Sequence, residues 1–343
     1  MTDTTWGIIM RDRSGDTDME FGVYLNQYDD RRTDFSFEEM LEQTTEIETL
    51  GYDTAAVGER HFYDDGFYDA FSCLTAMAAR VDKIDLMANI LILPIYHPIH
   101  LAERISAIDN LMDGGTRWGV SLGYRESELV NFGVPMDQRV PRFIEGLEIL
   151  KRLLAGERFD HSGDYYQFED GFVRPSPVQN PRPKFWGGGN ASVAIKRAAY
   201  RCDGFTAAVT IPEDLERDIQ LYRESLGEFG KDPDEGDVTI MVDGFVGETT
   251  EAAYDAVDPY LLDLTEKYIK WGNPEFTGRP GFEDIEEQTM IGTADEVAGM
   301  VATYQDIGVD HLIFRTQFPG MEGQTGMDSV RRFADEVLPR FQT

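Results

Sequence analysis

The stretch Pro183-Lys184-Phe185-Trp186-Gly187-Gly188-Gly189-Asn190-Ala191-Ser192 ends an apolar, strand-like run at three glycines and leads into a helical pattern. Ala194-Ile195 and Ala198-Ala199 form the apolar stripe of that helix. Asn190 and Ser192 are candidate caps. Glycine backbone beside a helix N-terminus offers bare N–H groups to an anion, which makes Gly187 to Ser192 a candidate phosphate cradle. The same residues also suit a tight strand-to-helix turn, and by themselves they leave both readings open. Their position is more informative. A doubly wound nucleotide-binding sheet places its glycine turn after the first strand, whereas here the first strand ends in Leu25-Asn26-Gln27 with no glycine.

Outward from this turn, β-rich runs alternate with amphipathic ones. Strands are expected at Glu20 to Leu25, Thr54 to Val57, Ile84 to Leu93, Arg117 to Leu122, Lys184 to Trp186, Gly204 to Val209, Val238 to Val246 and His311 to Arg315. Helices are expected at Phe37 to Leu50, Tyr68 to Arg80, Ile99 to Leu111, Arg142 to Leu154 and Ser329 to Phe341. This βα rhythm predicts an α/β fold, a (β/α)8 TIM barrel. Two excursions interrupt it, Gly123 to Pro183 after the fourth strand and Pro259 to Gln288 between the last two. Residues 1–18 are polar and are expected to form a flexible extension, leaving 19–343 as a single domain.

The 64 acidic residues against 31 basic ones give a net charge of −33, which excludes nucleic acid and anionic membranes as natural partners. Only seven of the cations are lysine, and this arginine bias joins the dispersed acids in suggesting a halophilic protein whose surface stays hydrated in salt. The distant cysteines Cys73 and Cys202 suggest neither a disulfide framework nor a metal site. The longest apolar run, Leu86 to Ile95, is too short to span a bilayer, so a cytoplasmic protein is expected.

In a barrel the chemistry lies where strands end. After the second strand comes Gly58-Glu59-Arg60-His61-Phe62, with His61 either the candidate acid, base or oxygen-intermediate stabiliser or a histidine hydrogen-bonded structurally to Glu59 or backbone, Glu59 the one clear carboxylate, and Arg60 either a counter-charge to an anionic ring or a partner of Glu59. Asn89 is a polar side chain in an otherwise apolar strand and would suit a heteroaromatic edge. Tyr124, after the fourth strand, could stack on such a ring. His97 before Pro98 reads as a packing or capping residue. His97 and His100 do not make a metal site, and no Gly-x-Ser-x-Gly elbow suggests a hydrolase.

Taken together, Met19 to Leu25, Gly58 to Phe62, Leu93 to Pro98 with Ala102-Glu103, Gly119 to Tyr124, Phe132-Gly133-Val134 and Trp186 to Gly189 resemble the bacterial-luciferase-like family. The resemblance implies a barrel oxidoreductase, monooxygenase-like, that uses reduced FMN or, alternatively, coenzyme F420 for hydride transfer. It implies that Gly187, Gly188, Gly189, Asn190, Ala191 and Ser192 receive the cofactor phosphate; in a chain of charge −33 such an anchor relies on backbone dipoles, with Lys184, Lys196 or Arg197 as possible helpers. Asn89 and Ile90 would lie against the ring, near a cis non-proline peptide found in relatives, with Ser121 and Tyr124 as further cofactor contacts. His61 matches the second histidine of the family's Glu-His-His-Phe motif, but Arg60 stands in place of the first, and Leu122 in place of an arginine that holds phosphate in some members. A small organic substrate, a reductase supplying reduced cofactor and a homodimer are expected on the same grounds, and the acidic surface would then need a charge-poor apolar patch, for which the helices Tyr68 to Arg80 and Ile99 to Leu111 are the candidates. A non-catalytic barrel subunit and a sugar-phosphate barrel enzyme are the competing readings.

Overall fold

The computed structural model describes residues 19–28, 35–64, 66–208, 210–273 and 286–342. The expected extension 1–18, the end of the sixth strand at 209 and the middle of the second excursion, 274–285, lie outside the described residues.

In chain order the elements are β1 (Glu20–Tyr24), α1 (Phe37–Thr49), β2 (Thr54–Val57), α2 (Ala70–Ala78), β3 (Asp85–Ile92), α3 (Pro98–Leu111) and β4 (Thr116–Ser121). Then follow α4 (Glu126–Asn131), α5 (Arg139–Leu154), β5 (Phe159–Ser162), β6 (Gln167–Gly171), β7 (Phe185–Gly188), α6 (Ser192–Arg201) and β8 (Gly204–Ala208). The chain closes with α7 (Pro212–Glu228), β9 (Asp237–Val246), α8 (Thr250–Lys270), β10 (Thr289–Gly292), α9 (Ala294–Asp306), β11 (His311–Arg315) and α10 (Gly323–Glu336).

Eight parallel strands pair in the order β9-β11-β1-β2-β3-β4-β7-β8, and a β8–β9 pairing shuts the ring. This is the expected (β/α)8 barrel. Period-two alternation decides what each strand buries. Phe21 and Val23 of β1 face the helices, while Tyr24 meets Ala56, Met87, Trp186, Ile313 and Met241 inside the barrel. Below this layer, at the strands' N-terminal ends, Arg117 is paired with Glu20 and, at 2.9 Å, with Asp85. One guanidinium is thus held between two partly exposed carboxylates at that end of the barrel.

The excursions are more ordered than the sequence suggested. The first contains α4, α5 and the antiparallel β5–β6 hairpin. The second does not begin at Pro259, because that proline lies inside α8. Val257, Leu261, Leu264 and Tyr268 keep helical spacing through it and pack against Phe245, Phe318 and Met321, so burial outweighs the lost backbone hydrogen bond. β10 extends the sheet beside the second half of β9 only. The last helix also starts earlier than expected, at Gly323. No described helix is long and apolar enough to cross a membrane.

Candidate active site

The strand ends are fastened to each other before any functional group is placed. Gln27, just past β1, accepts from Gly58 N (2.6 Å) and donates to Gly58 O and Tyr68 O (3.0 Å each), which fixes the loop that follows β2. Glu59 is anchored by the Ile92 N–H (2.6 Å) and by the Tyr96 hydroxyl, and its side chain is only 2% exposed. His61 Nε2 lies 3.2 Å from Glu59 Oε1, off the angle of a hydrogen bond but close enough to favour a protonated ring. Burial works against that charge; Glu59, with Glu128 and Asp69, outweighs it and holds the His61 pKa above its ordinary value. The His61 backbone is clamped by α4: its N–H donates to Glu128 (2.9 Å) and its carbonyl accepts from Arg125 (3.0 Å).

Arg60 turns away from Glu59, so the expected alternative of a pair between them is not what forms. Its guanidinium carbon sits 4.7 to 6.0 Å from the ring centres of Tyr28, Tyr63, Phe67, Tyr268 and Trp271, an aromatic box typical of a desolvated cation. Nη2 donates to the Tyr268 hydroxyl, whereas Nη1 is buried with no partner among the described residues. Arg315, at the end of β11 and 1% exposed, is doubly hydrogen-bonded to Asp243 of β9 and donates to the same Tyr268 hydroxyl at 3.1 Å. Two buried guanidiniums thus share one phenol, and Arg315 alone holds the carboxylate.

On the other side of the mouth, the Asn89–Ile90 peptide is cis. Asn89 Oδ1 accepts from Thr206 of β8 at 3.2 Å, and a side chain at Gly119 would collide with Ala88 and Ile90. A side chain at Gly188 would strike Ile90 Cδ1, so the structure brings Asn89, Ile90 and the glycine turn together. Ser121 Oγ donates to Leu91 O (3.3 Å). Tyr124 lies near Tyr268 and the Arg125–Glu128 pair, and burial raises its pKa.

The turn itself differs in detail from its sequence reading. Gly187 is small because Ala198 of α6 packs on it, and Gly189 has a φ of +123°. Neither Asn190 nor Ser192 caps α6. Ala191 holds the cap position without a side-chain bond, since Ser192 is already the first helical residue and Asn190 Nδ2 instead ties the turn to Ala208 O of β8 (2.8 Å). Among the possible helpers, Lys184 is excluded, because it pairs with Asp237 at the far end of the barrel (3.2 Å). Arg197 lies over Phe143, 5.9 Å from its ring, and Lys196 is exposed.

His97 is exposed, with its ring edge on Tyr166 (5.6 Å), in keeping with packing. No group of three or more His, Cys, Asp and Glu side chains among the described residues is placed to hold a metal.

A closed (β/α)8 barrel whose buried cations, aromatic box and glycine turn all gather at the carboxyl ends of the strands is a barrel with an enzyme's mouth. Residues 19–311 match the family described as luciferase-like monooxygenase, and the chain belongs to that family. It is 23% identical over 318 residues to the FMNH(2)-dependent dimethylsulfone monooxygenase of Pseudomonas putida, covering 85% of this chain and 86% of that one. Among solved structures, the monooxygenase RslO1 from Streptomyces bottropensis superposes with a TM-score of 0.82 at 22% identity, over 94% of this chain and all of that one. An F420-dependent secondary alcohol dehydrogenase in complex with an F420-acetone adduct superposes with a TM-score of 0.78 at 17% identity, over 95% and 100% of the two chains.

Proposed function

We propose that this protein is a reduced-flavin monooxygenase that binds FMN non-covalently at the barrel mouth and oxidises a small organic substrate. The observation that carries the reading is Arg60 Nη1, a buried cationic donor without a partner among the described residues, beside a second buried guanidinium, Arg315. A buried donor of that kind calls for an acceptor, and an anionic ring edge supplies one. When bound, a reduced flavin supplies the two electrons of the reaction.

The chain's own residues then have separable tasks. Arg60 and Arg315 hold negative charge, and Asn89 offers its amide to the ring. Tyr28, Tyr63, Phe67 and Trp271 keep water from the cation, so that its field is not screened. His61, kept protonated to a higher pH than an ordinary histidine, holds a proton at the end of β2. Gly189 to Ser192 would receive the phosphate, because the first amides of α6 have no acceptor within the helix. A single barrel with one such mouth leaves the cofactor to be reduced elsewhere, so a separate reductase is the proposed partner. A homodimer through α2 and α3 would cover the exposed Leu111.

The barrel's likeness to an F420-dependent dehydrogenase favours F420 as the alternative cofactor. Anaerobic titration of the full chain with FMNH2 and with reduced F420, read by absorbance and fluorescence, separates the two. FMNH2 binding that weakens about tenfold or more in Arg60→Met, the worth of a charged hydrogen bond, supports the proposal. Binding of F420 alone moves the reading to hydride transfer, and binding of neither removes it.

A further inference from the structure

Tyr268 is carried to the mouth by α8, far in sequence from every strand-end motif. Its hydroxyl oxygen accepts from Arg60 Nη2 and from Arg315 Nη1, and the residue is 6% exposed. The groups facing it come from every wall of the mouth. Asp243 of β9 is engaged with Arg315, and Tyr24 and Tyr28 lie at the end of β1. Tyr124 follows β4, and Arg125 and Glu128 of the α4 turn neutralise each other at 3.1 Å. On α8 itself Lys267 pairs with Asp263 at 2.9 Å.

Among the described residues, Arg60 and Arg315 bring two positive charges to Tyr268 and Asp243 brings one negative charge. An unbalanced charge in a water-poor site is costly, and hydrogen bonds from ionised donors favour the anionic form of the oxygen that accepts them. We propose that Tyr268 completes the balance as a phenolate and serves as the proton acceptor of the barrel mouth. In that step an O–H, N–H or acidic C–H bond of the bound molecule breaks, its electron pair stays on the donor atom, and the proton forms an O–H bond at Tyr268 Oη. No electrons change hands, so no oxidant is required. Protonation of Tyr268 also releases the Arg60 donor towards the anion just formed. The two guanidiniums, Arg315 first, outweigh the effect of burial and lower the Tyr268 pKa from its ordinary value. Burial raises those of Tyr24 and Tyr28 instead.

The catalytic use of this proton rests on the monooxygenase reading; the ionisation is a property of the protein alone and is tested without cofactor. The full chain is titrated from alkaline pH down through neutrality into the acid range while the near-ultraviolet tyrosinate band is recorded, so that a tyrosine still ionised at neutral pH is seen. One tyrosine is expected to ionise ahead of the other fourteen of the chain's 15. Its band is expected to be lost in Tyr268→Phe and displaced to higher pH in Arg60→Gln. Absence of an early tyrosinate, or its survival in Tyr268→Phe, overturns the proposal. If Tyr268→Phe fails to fold, as circular dichroism would reveal, carbon NMR of wild-type protein labelled at tyrosine Cζ decides. One resonance at the phenolate position at neutral pH supports the assignment, and all resonances at the phenol position overturn it. FMNH2 titration is read separately, so a failure of cofactor binding and a failure of this assignment are distinguishable.

Discussion

Gly187, Gly188 and Gly189 lack side chains for three different reasons, and the reasons predict different consequences of adding one. A Cβ on Gly187 would lie 2.7 Å from Ala198 Cβ and 3.0 Å from its Cα, atoms fixed to the α6 backbone. Gly187→Ala should therefore lower stability by about 1 to 3 kcal/mol, seen as a lower urea midpoint without any cofactor present. A Cβ on Gly188 would meet only the tip of Ile90, which can turn aside. Gly188→Ala should accordingly fold nearly as well while weakening FMNH2 binding, because Ile90 leaves its place at the mouth. An equal loss of binding and stability in both variants would mean that the turn is packing alone. His61 adds a pH dependence at the same scale. Its folded pKa is raised, so its attraction to Glu59 stabilises the protein fully below the unfolded value of about 6.5 and is lost as pH rises through the folded value. The stability gap between wild type and His61→Gln, measured by urea denaturation across that window, should shrink with rising pH; a gap that widens would contradict a protonated ring. Glu59, Arg60 and His61 were legible in the sequence because the residues after a barrel strand necessarily face the mouth. Tyr268 and Asp243 were not, since their meaning lies in partners 47 and 72 residues away, with no local pattern to announce the pairing.

At the scale of elements, α8 joins a small apolar cluster to the mouth. Leu261 and Leu264 pack with Phe245, Ile291, Phe318 and Met321 in a cluster distinct from the main core, and Tyr268 lies one turn beyond Leu264 on the same face. Leu264→Ala should cost about 2 to 5 kcal/mol, as other large buried deletions do. Hydrogen exchange should show that loss concentrated in α8, and FMNH2 affinity should fall with it. Exchange speeding up evenly across the barrel would show instead that α8 unfolds only with the whole. A quieter element test is the start of α9, where Thr293 and Glu296 form a reciprocal capping box. Thr293→Ala should cost about 1 kcal/mol and leave cofactor binding untouched. The barrel strands were readable because each must present apolar residues to the helices outside. The β5–β6 hairpin gave no such signal, as Phe159 to Ser162 alternate between half-buried and exposed and bury nothing fully. β10 was hidden for another reason. Its four residues are all buried, but a run that short cannot be told from any apolar fragment in a loop.

Across the whole molecule, few of the described charges are buried. Arg117, Arg125 and Arg315 sit there with their counter-ions and Asp109 with hydrogen-bond donors, so they add little to the net −33 of the chain. Two consequences have opposite ranges. Self-repulsion among surface carboxylates acts over many ångströms and is screened by salt, so stability should rise as ionic strength rises, and a melting temperature indifferent to dialysis would refute a salt-adapted surface. The attraction proposed between Arg60, Arg315 and an anionic cofactor would act over a few ångströms inside an aromatic wall, where mobile ions penetrate poorly. Most anion sites lose affinity in salt because attraction dominates both the approach and the contact. On the proposed reading the approach is repulsive and only the contact is attractive. The association rate of FMNH2, followed by stopped-flow fluorescence, should therefore increase between ~0.05 and ~1 M KCl, a range over which the screening length contracts from more than 10 Å to about 3 Å. The dissociation rate should change much less over the same range. A falling association rate would mean that a local positive field, not the −33 envelope, governs how the cofactor reaches the mouth.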